Sequence, residues 1–303
     1  MSKRYAYLAL LLTVTFWGAS FVATKIALRE LSPATIVFTR FAFGLIFLFS
    51  LLAVQKNLEP VTRRELGSLV VLGFLGITFH QWLQATGLQT ASATVTSWII
   101  ATIPVFVALL GYLFLGESLK LSRIAGIVIA ALGVLIVVSD GNLSALVAGS
   151  KGSLGDVLIA ISSLNWAVFT VLSKRFLGNP GGAESQSVHN SGGSVAFMLH
   201  VVLAGWVFTI PWVLVDGGWR ALATLSLEGW IAVSFLGVVC SGLAYFLWYE
   251  ALARVDAVQA GAFLYFEPIV TTALAVPLLG EAFTFTAGLG GAAILFGVWL
   301  VNR

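Results

Sequence analysis

Ten long apolar stretches constrain the fold of this 303-residue chain more than any other feature of its sequence. A stretch of about 20 mostly apolar residues has the length of a helix that crosses a bilayer. The stretches are continuous and do not alternate over about 10 residues, which excludes a transmembrane β-barrel. Because 59% of the residues are hydrophobic and only 10% are charged, the chain has too few charged residues to form the surface of a soluble domain. The sequence therefore predicts an all-α membrane protein.

The first stretch follows a charged start at Lys3 and Arg4, but it is too long for a signal peptide and no small-x-small cleavage site follows it. We therefore interpret it as a retained first helix. A count of nine or eleven helices would require a merger or a split at Gly116-Glu117 or Gly280-Glu281. The ten predicted transmembrane helices are 5–28, 34–54, 67–86, 94–115, 121–139, 154–172, 195–215, 230–249, 257–278 and 285–301.

The basic residues of the connecting loops predict the orientation. With the N-terminus in the cytoplasm, eleven of the sixteen Lys and Arg residues lie on the cytoplasmic side. The opposite side has only Arg29, Lys151 and Arg220, while Lys25 and Arg40 lie within the spans. Because positive loops stay in the cytoplasm, both termini are predicted to be cytoplasmic in a multi-pass protein of the cytoplasmic (inner) membrane.

An internal repeat divides the chain into two halves, 1–140 and 141–303. An odd number of helices in each half gives the halves opposite orientations, as in the inverted repeats of secondary transporters. The fold class is therefore ten transmembrane helices in two inverted five-helix repeats around a central cavity. Residues that match at a separation of 164 are Leu88 and Leu252, Ala93 and Ala257, Pro104 and Pro268, Gly116-Glu117 and Gly280-Glu281, Gly126 and Gly290, and Gly133 and Gly297; at 149 they are Trp17 and Trp166, Val22 and Val171, and Lys25 and Lys174.

Short motifs at the ends of the halves resemble a known family. They are Trp17-Gly18 with Phe21 and Lys25, Arg40-Phe41, Pro104-Val105-Phe106, Leu115-Gly116-Glu117, Glu267-Pro268 and Leu279-Gly280-Glu281. Together they resemble the start and the end of EamA domains, so the chain is similar to two-EamA exporters of the drug/metabolite transporter superfamily, and most similar to the YddG-type amino-acid exporters. The resemblance implies a central cavity lined mainly by the first, third, fourth, sixth, eighth and ninth helices, and export of amino acids or related metabolites.

Polar and aromatic side chains within the spans are the candidate substrate-binding residues. A buried imidazole must find a partner or a water-filled cavity, and an indole combines an apolar face with one donor. Phenols can bond a carboxylate or an amine. Each type can also be structural, through hydrogen bonds between helices or in an interfacial aromatic belt. The candidates are Trp17, His80, Gln84, Trp98, Trp166, Tyr245, Tyr249 and Tyr265.

Charged residues and prolines within the spans form a second group. Glu267, Lys25 and Arg40 are candidates for ion coupling or for structural charge pairs, with Glu267 as a possible partner of either base. Pro104 and Pro268 each remove a backbone hydrogen bond and predict a hinge or a static kink. We interpret Glu117 and Glu281 as structural residues that begin the helix following a glycine stop.

Absent motifs exclude several classes of function. The chain has no GxxxxGK[ST] loop, no HExxH and no spaced His/Cys cluster, so we expect no cofactor, metal or ATPase subunit. We also expect no nucleic-acid binding, because the basic residues stand singly in short loops, as the orientation of a membrane protein requires. The single cysteine, Cys240, excludes an internal disulfide. The sequence predicts a secondary transporter that exports amino acids or related small metabolites, with a small molecule and the lipid bilayer as its partners. A drug, sugar or nucleotide-sugar carrier of the same fold and an intramembrane enzyme are the alternatives.

Overall fold

The computed structural model describes residues 3–55, 63–115, 121–142, 152–177, 191–252, 254–255 and 257–301, and this part of the chain is helical with short turns. The helices, numbered in chain order, are α1 Lys3–Ala27, α2 Pro33–Gln55, α3 Arg63–Gly73 continued by Phe74–Phe79 and His80–Gly87, α4 Ala93–Ile100 continued by Ile103–Leu115, α5 Leu121–Ser139, α6 Leu154–Leu177, α7 Ser191–Asp216, α8 Leu227–Ser234 continued by Phe235–Leu243 and Ala244–Leu252, α9 Ala257–Phe263 continued by Leu264–Phe266 and Glu267–Leu279, and α10 Phe285–Val301.

Nine of these helices, α1 to α9, are long and apolar enough within the described residues to cross a membrane. The tenth, Phe285–Val301, is apolar but has only 17 residues. The structure thus confirms an all-helical membrane protein, with helices that lie within a few residues of the predicted spans. The polar stretch that separates α6 from α7 lies outside the described residues, as does Glu117.

The third helix of each half contains a π-helical segment that the sequence did not predict. These segments are Phe74–Phe79 in α3 and Phe235–Leu243 in α8. A π-helical segment widens the turn, leaves ordinary i→i−4 hydrogen bonds unmade and is frequent at functional sites. The two segments occupy equivalent places in the repeat, so both halves share this irregularity.

Both predicted proline breaks are present. In α4 the helix is interrupted at Ala101 and Thr102, and Pro104 is the second residue of the segment that follows. In α9 the 3₁₀ turn Leu264–Phe266 precedes the segment that begins at Glu267, with Pro268 at its second position. A proline is tolerated there because the first N–H groups of a helix have no intrahelical partner. Each proline therefore begins a helical segment after a break.

The halves are joined by reciprocal packing of equivalent helices. Helix α1 packs against α8 while α6 packs against α3, so the first helix of each half contacts the third helix of the other. Likewise α2 packs against α8 and α7 against α3. Helix α9 lies on α1 and helix α4 lies on α6. Among the described residues, each of the six hydrophobic core clusters contains side chains of both halves, so the two halves bury their apolar surfaces together.

Paired glycines show the same reciprocity where α5 packs against α10. A Cβ atom on Gly126 would lie 2.5 Å from the Gly297 carbonyl oxygen, and one on Gly133 would lie 2.7 Å from the Gly290 carbonyl oxygen. Because Gly290 and Gly297 are the repeat equivalents of Gly126 and Gly133, each contact is the image of the other. The rising numbers on α5 meet falling numbers on α10, so these two equivalent helices run antiparallel.

Candidate functional site

A buried guanidinium connects three helices within their membrane spans. Arg40 of α2 donates from Nε to the Ser241 hydroxyl (3.1 Å) in the π-helical segment of α8, and from Nη1 to the Gln81 side-chain oxygen (2.9 Å) in α3. The guanidinium also lies 5.2 Å from the ring centre of Phe41. Arg40 is 7% exposed. Both of its hydrogen-bonding partners are neutral, and they come from the third helices of the two halves.

His80 adjoins Gln81 and joins α3 to α6. Its Nδ1 lies 3.1 Å from the Ser162 carbonyl oxygen and 2.8 Å from the Ser162 hydroxyl, while its Nε2 lies 3.2 Å from the Gln84 side-chain nitrogen. A nitrogen that faces a carbonyl oxygen donates, so Nδ1 holds the hydrogen and Nε2 accepts from the Gln84 amide. The Trp166 ring lies 4.6 Å from the imidazole. Both ring nitrogens are thus bonded to the protein.

The aromatic side chains Trp17 and Trp166 flank this polar cluster from opposite halves. Trp17 donates its indole N–H to the Cys240 carbonyl oxygen (3.2 Å), and its ring lies 5.7 Å from Tyr245 and 5.2 Å from Trp248. The Trp166 ring contacts the rings of His80 (4.6 Å) and Phe169 (4.9 Å) in tilted arrangements. Both tryptophans border one core cluster, together with Tyr245 and Tyr249. The structure therefore brings this predicted aromatic set together.

Trp98 and Tyr265 belong to a different cluster, on the side of the bundle where α5 and α10 lie. The Trp98 ring packs on Gly291 of α10, where an added Cβ would approach it to 2.6 Å. The Trp98 indole N–H is buried and has no hydrogen-bond partner among the described residues. These two candidates are therefore separated from the set around Arg40 and His80.

Glu267 stands where the 3₁₀ turn of α9 gives way to helix. Its backbone oxygen accepts from Thr271 and lies against Gly18 of α1. Its carboxylate has no hydrogen bond or ion pair within the described part of the chain, although the residue is only 7% exposed. The predicted pairing of Glu267 with Arg40 or Lys25 is absent among these residues, because each base has other partners.

Lys25 binds the turn that connects α3 to α4. Its Nζ donates to the carbonyl oxygens of Leu88 (2.9 Å) and Ala91 (2.8 Å). The Leu88 oxygen is at the end of α3, where carbonyl groups lack intrahelical partners and a cation interacts favourably with the helix dipole, while the Ala91 oxygen belongs to the turn that follows. In this structure Lys25 therefore ties the end of α1 to the end of α3.

Glu281 caps the start of α4, which corrects the prediction that it begins the next helix. Gly280 ends α9 in the left-handed conformation (φ 67°), as predicted. However, α10 starts only at Phe285, and the Glu281 carboxylate accepts from the backbone N–H groups of Ala93 (2.6 Å) and Thr94 (2.9 Å). These N–H groups belong to the first turn of a helix in the other half, so a carboxylate satisfies donors that the helix itself leaves unpaired.

Two surface pockets lie away from the Arg40 cluster. One of about 630 Å³ is at the end of the bundle that holds the α3–α4 turn, and Lys25, Arg29, Gln89 and Glu281 contribute to its polar wall. The other, of about 460 Å³, is an apolar groove where α1, α8 and α9 meet. In the described part of the chain, no group of three His, Cys, Asp or Glu side chains could hold a metal ion.

Sequence reasoning did not select Gln81, Ser162 or Ser241, although these residues bind the two most polar groups of the cluster. Each is a polar residue within an otherwise apolar span, which was the available signal. The signal did not identify their partners, because those contacts cross between helices that are far apart in the sequence.

Comparisons with known proteins agree with this architecture. The model of the EamA-like transporter family matches residues 4–139 and 153–303. An uncharacterized transporter of Archaeoglobus fulgidus is 33% identical over 98% of this chain and 96% of its own length. A "Probable terminal-alkyne amino-acid exporter" of Streptantibioticus cattleyicolor is 26% identical over 100% of this chain and 95% of its own. A solved crystal structure with 18% identity aligns with a TM-score of 0.65 over 99% of this chain and 98% of its own. The chain belongs to the EamA-like transporter family, whose members are membrane transporters and not enzymes.

Proposed function

We propose that this transporter exports amino acids or related small metabolites across the cytoplasmic membrane by alternating access of its two halves. The observation on which the proposal depends is a cluster within the spans that combines aromatic residues of both halves with a buried cation: Trp17 is bonded to the residue before Ser241, and Trp166 contacts the residue before Gln81. Trp17, Trp166 and Tyr245 supply apolar ring faces, and Arg40 supplies a fixed charge. A small amphiphilic molecule needs both kinds of contact in a site between helices.

The amino-acid substrate is supported by chemistry and by a relative. Within the cluster, Tyr249 and Gln84 complete the predicted set, and His80 would reach a substrate by exchanging its bond with Gln84. Trp98 and Tyr265 would contribute only if the site extends toward α10. The relative from Streptantibioticus cattleyicolor is named as an amino-acid exporter, which favours this substrate class.

The membrane arrangement that we propose has ten spans, in two inverted repeats at 1–140 and 141–303. The reciprocal glycine contacts of the antiparallel helices α5 and α10 support the inversion. With its 17 residues, α10 is about 26 Å long, close to the thickness of the hydrocarbon core. The eleven-to-three bias of basic residues supports cytoplasmic termini.

Alternating access requires contacts that close one end of the site at a time. In this proposal the outer end is closed in this structure by Lys25 on the α3–α4 turn and by Glu281 on the first turn of α4. Pro104 and Pro268 would act as hinges, because the helix is already broken beside each of them. Opening would then break a few hydrogen bonds at the ends of α3 and α4 without unfolding a span.

The direct test is counterflow in proteoliposomes loaded with each common amino acid in turn. We expect saturable uptake of labelled substrate that depends on unlabelled amino acid inside and leaves the substrate chemically unchanged. Liposomes without protein are the control. Uptake of sugars, nucleotide-sugars or cationic drugs, but of no amino acid, would reject amino acids as the substrate class and still show that the protein is a carrier.

The tryptophan pair should matter more than other tryptophans of the same bundle. Trp17→Ala and Trp166→Ala each remove a ring face from the cluster, so we expect an about tenfold or greater loss of initial flux, with folded protein still in the membrane. Trp299→Ala is the matched control, because that ring is 42% exposed and stacks on Phe296. Initial rates per reconstituted protein give the comparison. Equal rates in all three variants would reduce the pair to a packing role.

A further inference from the structure

Arg40 is a positive charge within the membrane that has no carboxylate partner in the described part of the chain. The ion pairs among those residues are Arg29 with Glu228 and Arg254 with Glu250. A charge within a membrane-spanning segment is costly and normally finds a charged partner, a backbone carbonyl or a water-filled cavity. Arg40 therefore lies within a span with two neutral partners and no counter-charge from these residues.

The guanidinium still has donors to offer. It has five N–H groups in a planar fork, and its two hydrogen bonds, to Gln81 and Ser241, engage only Nε and Nη1. Arg40 is 7% exposed. Its remaining nitrogen, Nη2, is not fully enclosed by the described residues. The Nη2 group therefore has no partner among the described residues and can still donate to an anion.

We propose that Arg40 binds the carboxylate of the transported molecule. This inference rests on the proposed function and adds to it the chemical class of the substrate. The guanidinium fork matches a carboxylate with two parallel hydrogen bonds. A single cation fits a monoanion, whereas a dianionic phosphate would need a second one. Lys25, which also lies within a span of this half, is held by the carbonyl oxygens of Leu88 and Ala91.

The surroundings of Arg40 suit the remainder of such a molecule. Ser241 follows Cys240, whose carbonyl oxygen accepts from the Trp17 indole. Tyr245 stands one turn further along α8, with its ring against Trp17, and it is 6% exposed. A carboxylate on Arg40 would place the body of the ligand beside these rings, so aromatic probes are appropriate.

The test measures ligand-induced thermal stabilisation of the purified full-length protein. The probes are L-phenylalanine, 3-phenylpropionate, L-phenylalaninamide, phenyl phosphate and chloride. We expect stabilisation by the first two and little or none by the amide, the phosphate or chloride. In Arg40→Gln the half-saturating concentration should rise about 10- to 150-fold, the range for a lost hydrogen bond to a charged group. Arg220→Gln, on the short helix Gly218–Thr224, is the matched control and should behave like wild type.

Each outcome decides the question. Unchanged carboxylate affinity in Arg40→Gln, equal stabilisation by the amide, or an Arg40-dependent effect of chloride or phenyl phosphate would overturn the inference, as would wild type that binds neither carboxylate. If 3-phenylpropionate stabilises the protein and L-phenylalanine does not, Arg40 is still the carboxylate site but L-phenylalanine is not a ligand. If counterflow also fails with every amino acid, the proposed function is rejected while the carboxylate site remains. If Arg40→Gln does not fold, Arg40→Lys replaces it, and it must weaken binding because it keeps the charge but loses the fork.

Discussion

Replacement of Gly133 by leucine is expected to separate α5 from α10 and to remove most of the folded protein from the membrane. A Cβ atom there would lie 2.7 Å from the Gly290 carbonyl oxygen and 2.8 Å from Ile294 of the facing helix. The backbone of α10 cannot move aside as a flexible side chain can, so the whole helix must shift. Overpacking usually costs about 1–3 kcal/mol, and a leucine between two backbones should reach about 3 kcal/mol or more.

The control for this prediction is Gly67→Leu, because Gly67 is exposed near the start of α3 and a Cβ there meets no atom within 4 Å. Gly290→Leu should behave like Gly133→Leu, since its Cβ would lie 2.8 Å from the Gly133 carbonyl oxygen. The measurements are the yield of monodisperse protein from membranes and its thermal unfolding in detergent. Normal yield and stability of both core variants would contradict the close helix contact.

The sequence predicted the helices well, because hydropathy over about 20 residues is a property of the segment alone. The predicted and observed limits of the last helix, Phe285–Val301, coincide, and the other helices differ by a few residues. The breaks at Pro104 and Pro268 were also predictable, since proline removes a backbone donor wherever it lies. These features depend on local chemistry and need no knowledge of the tertiary fold.

Contacts between helices were less accessible to sequence reasoning. The repeat showed that Gly126 and Gly133 recur, but it did not show that each packs against the equivalent of the other. The capping of α4 by Glu281 joins residues 188 positions apart. The placement of Trp98 and Trp166 in different clusters depends on which face of its helix each side chain occupies. The π-helical segments were not predicted, because the hydropathy pattern does not distinguish a π-helical turn from an α-helical one.

The sequence predicted several members of the Arg40 cluster, among them His80 and Gln84, but not the polar partners that join them to other helices. Trp17 and Trp166 were identified because the repeat equates them, and the structure places them on one cluster. Arg40 was taken as a coupling or structural charge. Its neutral partners Gln81 and Ser241, which distinguish it from a paired base, could be identified only from the fold.

The second large effect is expected at Glu267, which we propose as the proton-exchanging group. Its carboxylate has no partner among the described residues, and it lies where α9 changes from a 3₁₀ turn to a helix against Gly18 of α1. Buried carboxyl groups of this kind form the proton relays of many pumps and transporters. A glutamine keeps the size and polarity of the side chain but cannot exchange a proton.

Glu267→Gln should therefore reduce flux driven by a pH gradient about tenfold or more, while exchange of substrate for substrate continues near the wild-type rate. Exchange needs only reorientation of the loaded carrier, whereas gradient-driven flux must return a proton in each cycle. Both rates are measured in the same proteoliposomes, with and without an imposed gradient. The control is Glu228→Gln, an exposed carboxylate paired with Arg29. Gradient-driven flux that survives in Glu267→Gln, or that wild type lacks, would show that Glu267 does not couple protons to transport. Loss of both exchange and gradient-driven flux would indicate that Glu267 binds the substrate or supports the fold of α9.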